Sequence, residues 1–228
     1  MNIMKAKDIK PENLSVFIYG APGMGKTTLL GNQGGKTLII DVDKGTSVLA
    51  GIENVDVVRI SENFGEIPAI IKELQGKCEY DTVCLDSLSE LERGLLTYLG
   101  RVGNNKGTPS LQDYLRVDCY IMDWGRQLRA LPSNVIFTAW EKYTEITAPT
   151  GEKYTRTSPM LRDKNVENIC GLCDIVGQIV SSPKDGERYI RLEGSNNAVA
   201  KDRIFKRQFC KFEELLPSSE IKKTEKKG

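Results

Sequence analysis

Residues Gly20-Ala21-Pro22-Gly23-Met24-Gly25-Lys26-Thr27-Thr28 carry a G-x-x-x-x-G-K-[ST] pattern. Glycines at this spacing let the backbone curl so that successive N–H groups point inward at phosphate oxygens. The lysine after the last glycine, Lys26, is placed to reach the β- and γ-phosphates, and the Thr27 hydroxyl to bind magnesium. The pattern also lies in the right context. An apolar run, Leu14 to Tyr19, precedes it, and a segment able to start a helix follows, whose positive end adds to the attraction for an anion. A glycine-rich turn with an exposed lysine is the plain alternative. The expected ligands are ATP and Mg2+, cradled by Gly20 to Thr28. No Asn-Lys-x-Asp motif for reading guanine is present, and nothing in the residues selects ATP over other nucleotides.

A magnesium partner is expected at the end of another buried strand, and Thr82-Val83-Cys84-Leu85-Asp86 supplies one: uncharged residues and then a carboxylate. Asp86 is therefore the second metal candidate beside Thr27, although Asp86 or Ser87 could equally cap the helical stretch Leu88–Leu99. Many nucleotide hydrolases place a glutamate directly after this aspartate to orient the attacking water, but here that position is Ser87. A base must come from elsewhere. Leu38-Ile39-Ile40-Asp41-Val42-Asp43 ends the next strand in two carboxylates with the same side-chain sense. Asp43 is the better candidate because it lies past the strand end, where parallel α/β sheets gather their ligands.

Taken together, a phosphate-loop strand, a strand ending in Ile40-Asp41-Val42-Asp43 and a strand ending in Asp86-Ser87 resemble the RecA-like ATPases. The pattern is most similar to the short RecA-core ATPases of bacteriophages, some of which serve in single-strand annealing and recombination. The likeness runs from about Leu14 to Phe212. It implies a catalytic acid after the second strand, which falls on Asp43, one methylene shorter than the glutamate often found in that family. It also implies a polar sensor, commonly Gln or His, at the end of the strand Val135–Trp140. This chain offers Thr138, Trp140 and Glu141 there, so the sensor stays unassigned. Lys201-Asp202-Arg203 resembles the Lys-x-Arg pair that such ATPases insert into a neighbouring subunit's nucleotide site, which implies a homo-oligomer with sites at its interfaces. Lys201 and Arg203 would then stabilise transition-state charge in trans; a solvated basic turn is the alternative.

Composition narrows the remaining classes. The chain has 228 residues, 32 basic against 31 acidic, and no histidine. Ser-His-Asp and Cys-His nucleophile chemistry and the common zinc hydrolase sites are thereby excluded. No global field draws the protein to nucleic acid or to an anionic membrane. No run approaches the ~18 apolar residues of a membrane span, and Met1 to Lys10 lacks the apolar centre of a signal peptide, so a cytoplasmic protein is expected. The six cysteines read as reduced core residues. Cys170-Gly171-Leu172-Cys173 has metal or redox spacing but lacks further ligands, so burial is the simpler reading.

The elements that must position these residues follow from apolar patterning. Strands are expected near Leu14–Tyr19, Lys36–Asp41, Val55–Ile60, Thr82–Asp86 and Asn134–Trp140, alternating with helices in a mostly parallel sheet: an α/β, RecA-like P-loop fold in one domain over residues 1–216. A helix from Leu111 to Leu131 should bury a stripe of Leu111, Tyr114, Leu115, Ile121, Trp124, Leu128 and Leu131. Tyr143–Thr147 and Lys153–Thr157 read as a hairpin turning near Gly151. A helix over Asp163–Leu172 and antiparallel strands over Ile175–Ser181 and Arg188–Glu193 complete the domain. Residues 217–228, with one large apolar residue and four lysines, read as a disordered, solvated basic tail.

Single-stranded DNA is the expected macromolecular partner, and the resemblance implies it. The residues offer local patches only. Lys201 to Lys211 holds Lys201, Arg203, Lys206, Arg207 and Lys211 around Phe205 and Phe209, a combination suited to single strands unless the phenylalanines are core. The loop Gly100–Pro109 and the hairpin carry further cations. Two other functions remain open: a nucleotide-dependent switch that orders a protein partner with little hydrolysis, and a small-molecule kinase, for which Arg156–Lys164 is a poor lid.

Overall fold

The computed structural model describes Lys5 and residues 13–62 and 64–216; the expected tail over 217–228 lies outside them. One sheet organises the described residues. Its strands are β1 (Ser15–Gly20), β2 (Thr37–Asp41), β3 (Val55–Arg59), β4 (Thr82–Asp86), β5 (Asn134–Thr147), β6 (Lys153–Pro159), β7 (Ile175–Ser181), β8 (Arg188–Arg191), β9 (Lys201–Asp202) and β10 (Phe209–Cys210). The order is β10-β8-β7-β1-β5-β4-β2-β3, with β6 on β5 and β9 on β7. From β7 to β3 every pairing is parallel, whereas β8, β9, β10 and β6 join antiparallel. This is the mostly parallel α/β sheet with antiparallel C-terminal strands expected from the sequence, with β5 lying between the phosphate-loop strand β1 and the Asp86 strand β4.

The central strands β1, β2 and β4 are buried along their whole length, which is why they read as continuous apolar runs rather than alternating ones. One face carries α2 (Glu66–Gly76), α3 (Leu88–Val102), α4 (Leu111–Arg129) and α5 (Asp163–Leu172), packed on Phe17, Tyr19, Ile40, Leu85, Phe137 and Val176. The other carries the short α1 (Lys26–Gly31), the turn Thr46–Leu49 and the segment around Leu215, packed on Val16, Ile18, Ile39, Ile136 and Ile190. Among the described residues no helix is long and apolar enough to cross a membrane.

Two elements differ from expectation. β5 does not stop at Trp140: it continues unbroken to Thr147, 14 residues in all. Its parallel neighbour β1 ends at the Gly20–Trp140 pair, and β6 takes over as antiparallel partner from Glu141–Pro159 onward. The backbone therefore never lacks a ladder, and the hairpin is an extension of the central sheet. In α4 the stripe is shorter than the periodicity indicates: apolar burial begins at Val117 and runs through Ile121, Trp124 and Leu128, while Leu111 is 85% and Leu115 58% exposed. Spacing shows which residues share a face, not how far the neighbouring element extends along it.

Candidate phosphate-binding site

The site grows from the register of the central strands. Pairing Gly20 with Trp140 and Asp41 with Asp86 brings the ends of β1, β5, β4 and β2 to one edge of the sheet. The loop from Gly20 to Gly25 then needs left-handed backbone at two points, Gly23 (φ 79°) and Gly25 (φ 87°), where a side chain would be strained. The backbone N–H groups of Gly23, Gly25, Lys26 and Thr27 find no acceptor among the described residues, which leaves several donors for an anion. α1 is only six residues long, so these loop donors, rather than a long helix dipole, carry the positive field.

The Lys26 ammonium folds back over the loop, donating to the carbonyls of Gly20 (2.9 Å) and Ala21 (3.1 Å). Burial depresses it below the ordinary lysine value of 10.5, against the opposing pull of Asp86, Asp43 and Glu141. Asp86, 1% exposed, is fully engaged. Its Oδ2 accepts from the Thr27 hydroxyl at 2.8 Å and its Oδ1 from the Thr138 hydroxyl. Burial raises its carboxyl above the usual 3.8; the two hydroxyls oppose that shift, and the charges of Asp43 and Asp41 add to it. A buried carboxylate touching a threonine hydroxyl is a hard-oxygen pair of the kind Mg2+ takes, so these residues fit that ion.

Asp41 and Asp43, alike in sequence, separate in space. Asp41 is buried and closes its own turn, accepting from Gly45 N (3.2 Å) and Thr46 Oγ1 (2.6 Å) with Arg59 Nε 3.7 Å away. Asp43 lies past the strand end. Its Oδ1 accepts from the Ser87 hydroxyl (2.8 Å) and its Oδ2 from the Trp140 indole N–H (3.1 Å). The chain there is pinned to β4, because the Asp86 carbonyl accepts from both Val42 N (2.7 Å) and Asp43 N (3.2 Å). Ser87 also caps α3, accepting from Glu90 N at 3.3 Å, so the capping reading and the site reading of Asp86-Ser87 hold together.

The three residues offered at the end of β5 each take a distinct place. Thr138 holds Asp86, and Trp140 holds Asp43 beneath the Arg93 guanidinium, 5.3 Å from its ring. Glu141, 8% exposed, accepts from Gln178 (2.5 Å) and from the Tyr143 hydroxyl (2.8 Å).

Lys201 and Arg203 do not join this cluster. Lys201 pairs with Val176, which is level with Phe17, three residues before Gly20 and so about 10 Å back along the strands. Burial, and then the neighbouring Arg203, hold the Lys201 ammonium below its ordinary range. Two residues that sequence reasoning missed do reach the loop: a Cβ added to Gly25 would lie 2.7 Å from an Arg188 guanidinium nitrogen and 3.5 Å from the Phe212 ring. No motif marks either, because both come from far along the chain, Arg188 from the start of β8 and Phe212 from the turn after β10.

The candidate nucleic-acid patches are mixed. Phe205 (43%) and Phe209 (49%) are exposed rather than core, each with a guanidinium over its ring, Arg207 at 4.5 Å and Arg191 at 5.9 Å. Arg207, however, is tied to Asp202 (2.7 Å) and to the carbonyls of Glu214 and Leu215. Arg101, Lys142 and Lys153 are likewise paired, with Glu62, Asp163 and Glu145. Cys173 is buried in the core and Cys170 half-buried, where burial pushes the Cys170 thiol up to about 11.

A sequence model of the family described as an AAA domain matches residues 12–204. Among solved structures, the chain is similar to a KaiC-like protein from the hyperthermophilic archaeon Pyrococcus horikoshii OT3. That match has 13% identity over 82% of this chain and 81% of that one, with a TM-score of 0.49. It is also similar to the RadB recombinase, with 19% identity over 86% of this chain and 83% of that one and a TM-score of 0.45. No curated protein matched the sequence.

Proposed function

The chain belongs to the AAA domain family, and from that premise we propose that it hydrolyses ATP with Mg2+ and acts on single-stranded DNA in bacteriophage recombination, annealing or replication. The observation that carries the hydrolytic reading is the convergence of Lys26, Thr27, Asp86 and Asp43 at the ends of β1, β4 and β2. The loop N–H groups bind the phosphates, and Lys26 exchanges its two carbonyl partners for phosphate oxygens, which are stronger acceptors. Magnesium, held by Thr27 Oγ1 and Asp86, would neutralise charge on the β- and γ-phosphates. Asp43 orients a water: its oxygen bonds to the γ-phosphorus, the bond to the β–γ bridging oxygen breaks, and the water's proton passes to the carboxylate, giving ADP and phosphate.

Lys201 and Arg203 are too far from their own loop to take part, so their role in this reading is at the loop of a second copy. The exposed, guanidinium-stacked Phe205 and Phe209 support single-strand binding, since every base has a face to stack. The direct test is the ATPase rate with and without single-stranded DNA. Turnover should be DNA-stimulated, Lys26→Ala should abolish nucleotide binding, and Asp43→Asn should bind ATP normally while losing turnover by roughly 100-fold or more.

One observation favours a second reading, a nucleotide-dependent switch with little hydrolysis. Both oxygens of Asp43 already accept hydrogen bonds, from Ser87 and Trp140, which restricts its freedom to take a proton. Tight ATP binding, no DNA-stimulated turnover and ATP-dependent capture of a protein would select the switch.

A further inference from the structure

Gly25 is the point where the phosphate loop meets the far end of the chain. Arg188 opens β8, and β8 pairs with β7 so that Arg188 lies opposite Ser181, the last residue of β7. Because β7 runs parallel to β1, that end of the ladder lies at the same edge of the sheet as the loop. The Arg188 guanidinium there covers the open face of Gly25, the glycine that precedes Lys26.

Two features make this placement informative. Among the described residues the Arg188 side chain forms no hydrogen bond or ion pair. Its neighbour Glu187 turns away to accept from the Tyr189 hydroxyl at 2.6 Å, and the acids of the site, Asp86 and Asp43, are engaged by Thr27, Thr138, Ser87 and Trp140. A guanidinium carries donors in a rigid fork that matches phosphate oxygens. Held without an acid against a loop that already presents free N–H groups and Lys26, it adds positive charge to positive charge. That arrangement is favourable only once an anion lies between them. Beside it the turn that carries Phe212 is docked against α1: Gln33 Nε2, on the residue after the α1 cap, donates to Leu29 O (2.7 Å) and to Phe212 O (3.1 Å).

We propose that Arg188 is a second, intramolecular cation for the phosphates of the bound nucleotide, acting from the strand end β8 in the same subunit as the loop. This rests on the reading of Gly20–Thr28 as a nucleotide site and assigns to that site a phosphate ligand that no motif marks. Arg188 is exposed, so its replacement leaves the core intact, and a thermal melt of the apo variant checks this.

The experiment is equilibrium binding of ATP, ADP and inorganic tripolyphosphate to the full chain, to Lys26→Ala and to Arg188→Ala, Arg188→Gln and Arg188→Lys. Arg188→Ala and Arg188→Gln should weaken all three ligands by roughly 10- to 100-fold, the worth of a charge-assisted hydrogen bond, with Arg188→Lys in between. Unchanged affinities in Arg188→Ala, while Lys26→Ala loses binding, would overturn the assignment and leave the nucleotide site standing. A loss confined to ATP and ADP, with tripolyphosphate unaffected, would place Arg188 on the nucleoside and also overturn it. If the unaltered chain binds none of the three, the site reading fails and this proposal with it.

Discussion

At the scale of single residues, Asp86 sets function against stability. Burial raises its carboxyl above 3.8, so its favourable contribution to folding is present below that pH and is lost as the pH rises through the raised folded value. At neutral pH the protein without ligand therefore carries the cost of an ionised, buried carboxylate. Asp86→Asn should raise the melting temperature at pH 7 in the absence of nucleotide and metal, by about 2–4 °C for each kcal/mol relieved. The gap should narrow on acidification and close below pH 3.8, where both side chains are neutral. The same substitution should abolish magnesium-dependent nucleotide binding. Thermal melts across pH check the first claim, and a lower melting temperature for the variant at pH 7 would refute it. Legibility at this scale follows the same physics. Gly20–Thr28, Asp86 and Asp43 could be read because their spacing encodes backbone curl and strand ends. Thr138 and Trp140 could be noticed but not given partners, since hydrogen bonds between β5 and its neighbours depend on a strand order that no local pattern states.

Between elements, the helical layer is held by a polar contact in an otherwise apolar interface. Glu92 of α3 and Asp118 of α4 are both buried, as is Asn165 of α5. Arg162 donates through its backbone N–H to Glu92 Oε2 (3.0 Å) and through its guanidinium to Asp118 (2.7 Å). Asn165 bridges the same two carboxylates at 2.6 and 2.9 Å. Of the two acids the guanidinium thus bonds Asp118 alone; burial raises the Glu92 carboxyl, against the opposing pull of Asn165 and of Arg162's backbone N–H and charge. Arg162→Ala should destabilise the fold by about 3–5 kcal/mol in urea titration, because it leaves the buried Asp118 without its cation, while Glu92 keeps the backbone donor. Replacing Glu92, Asp118 and Arg162 together with apolar residues of similar volume should cost far less. Periodicity could not foresee this network: it scores a charged residue as solvent-facing, and Glu92 is a charged residue on the buried face of α3. The converse error fell on α4, where Leu111 and Leu115 share the apolar stripe but extend past what covers it.

For the whole molecule, the arrangement of Lys201 and Arg203 bears on assembly. They lie back along the sheet from their own phosphate loop, so any action on ATP needs a second copy of the chain. Mixing Arg203→Ala with Lys26→Ala subunits tests this. Each is expected to be inactive alone, whereas the mixture should recover hydrolysis at interfaces that pair an intact loop with an intact arginine. No recovery, with the unaltered chain active, would count against action in trans. The overall architecture was readable because strands buried on both faces leave unbroken apolar runs in the sequence. Their left-to-right order was not, and it is that order which sets β5 between β1 and β4.

The continuity of β5 has a mechanical consequence. Trp140, whose indole holds Asp43, and the hairpin turn at Ala148–Gly151 belong to one paired ribbon with no break between them. The tip therefore projects about 25 Å beyond Trp140. A hydrogen-bonded ribbon resists stretching and transmits a sideways push as rotation about its root. That root is the Trp140–Glu141 step, where support passes from β1 to β6. Anything that grips the far end of this lever works with its fulcrum at the residue that positions Asp43.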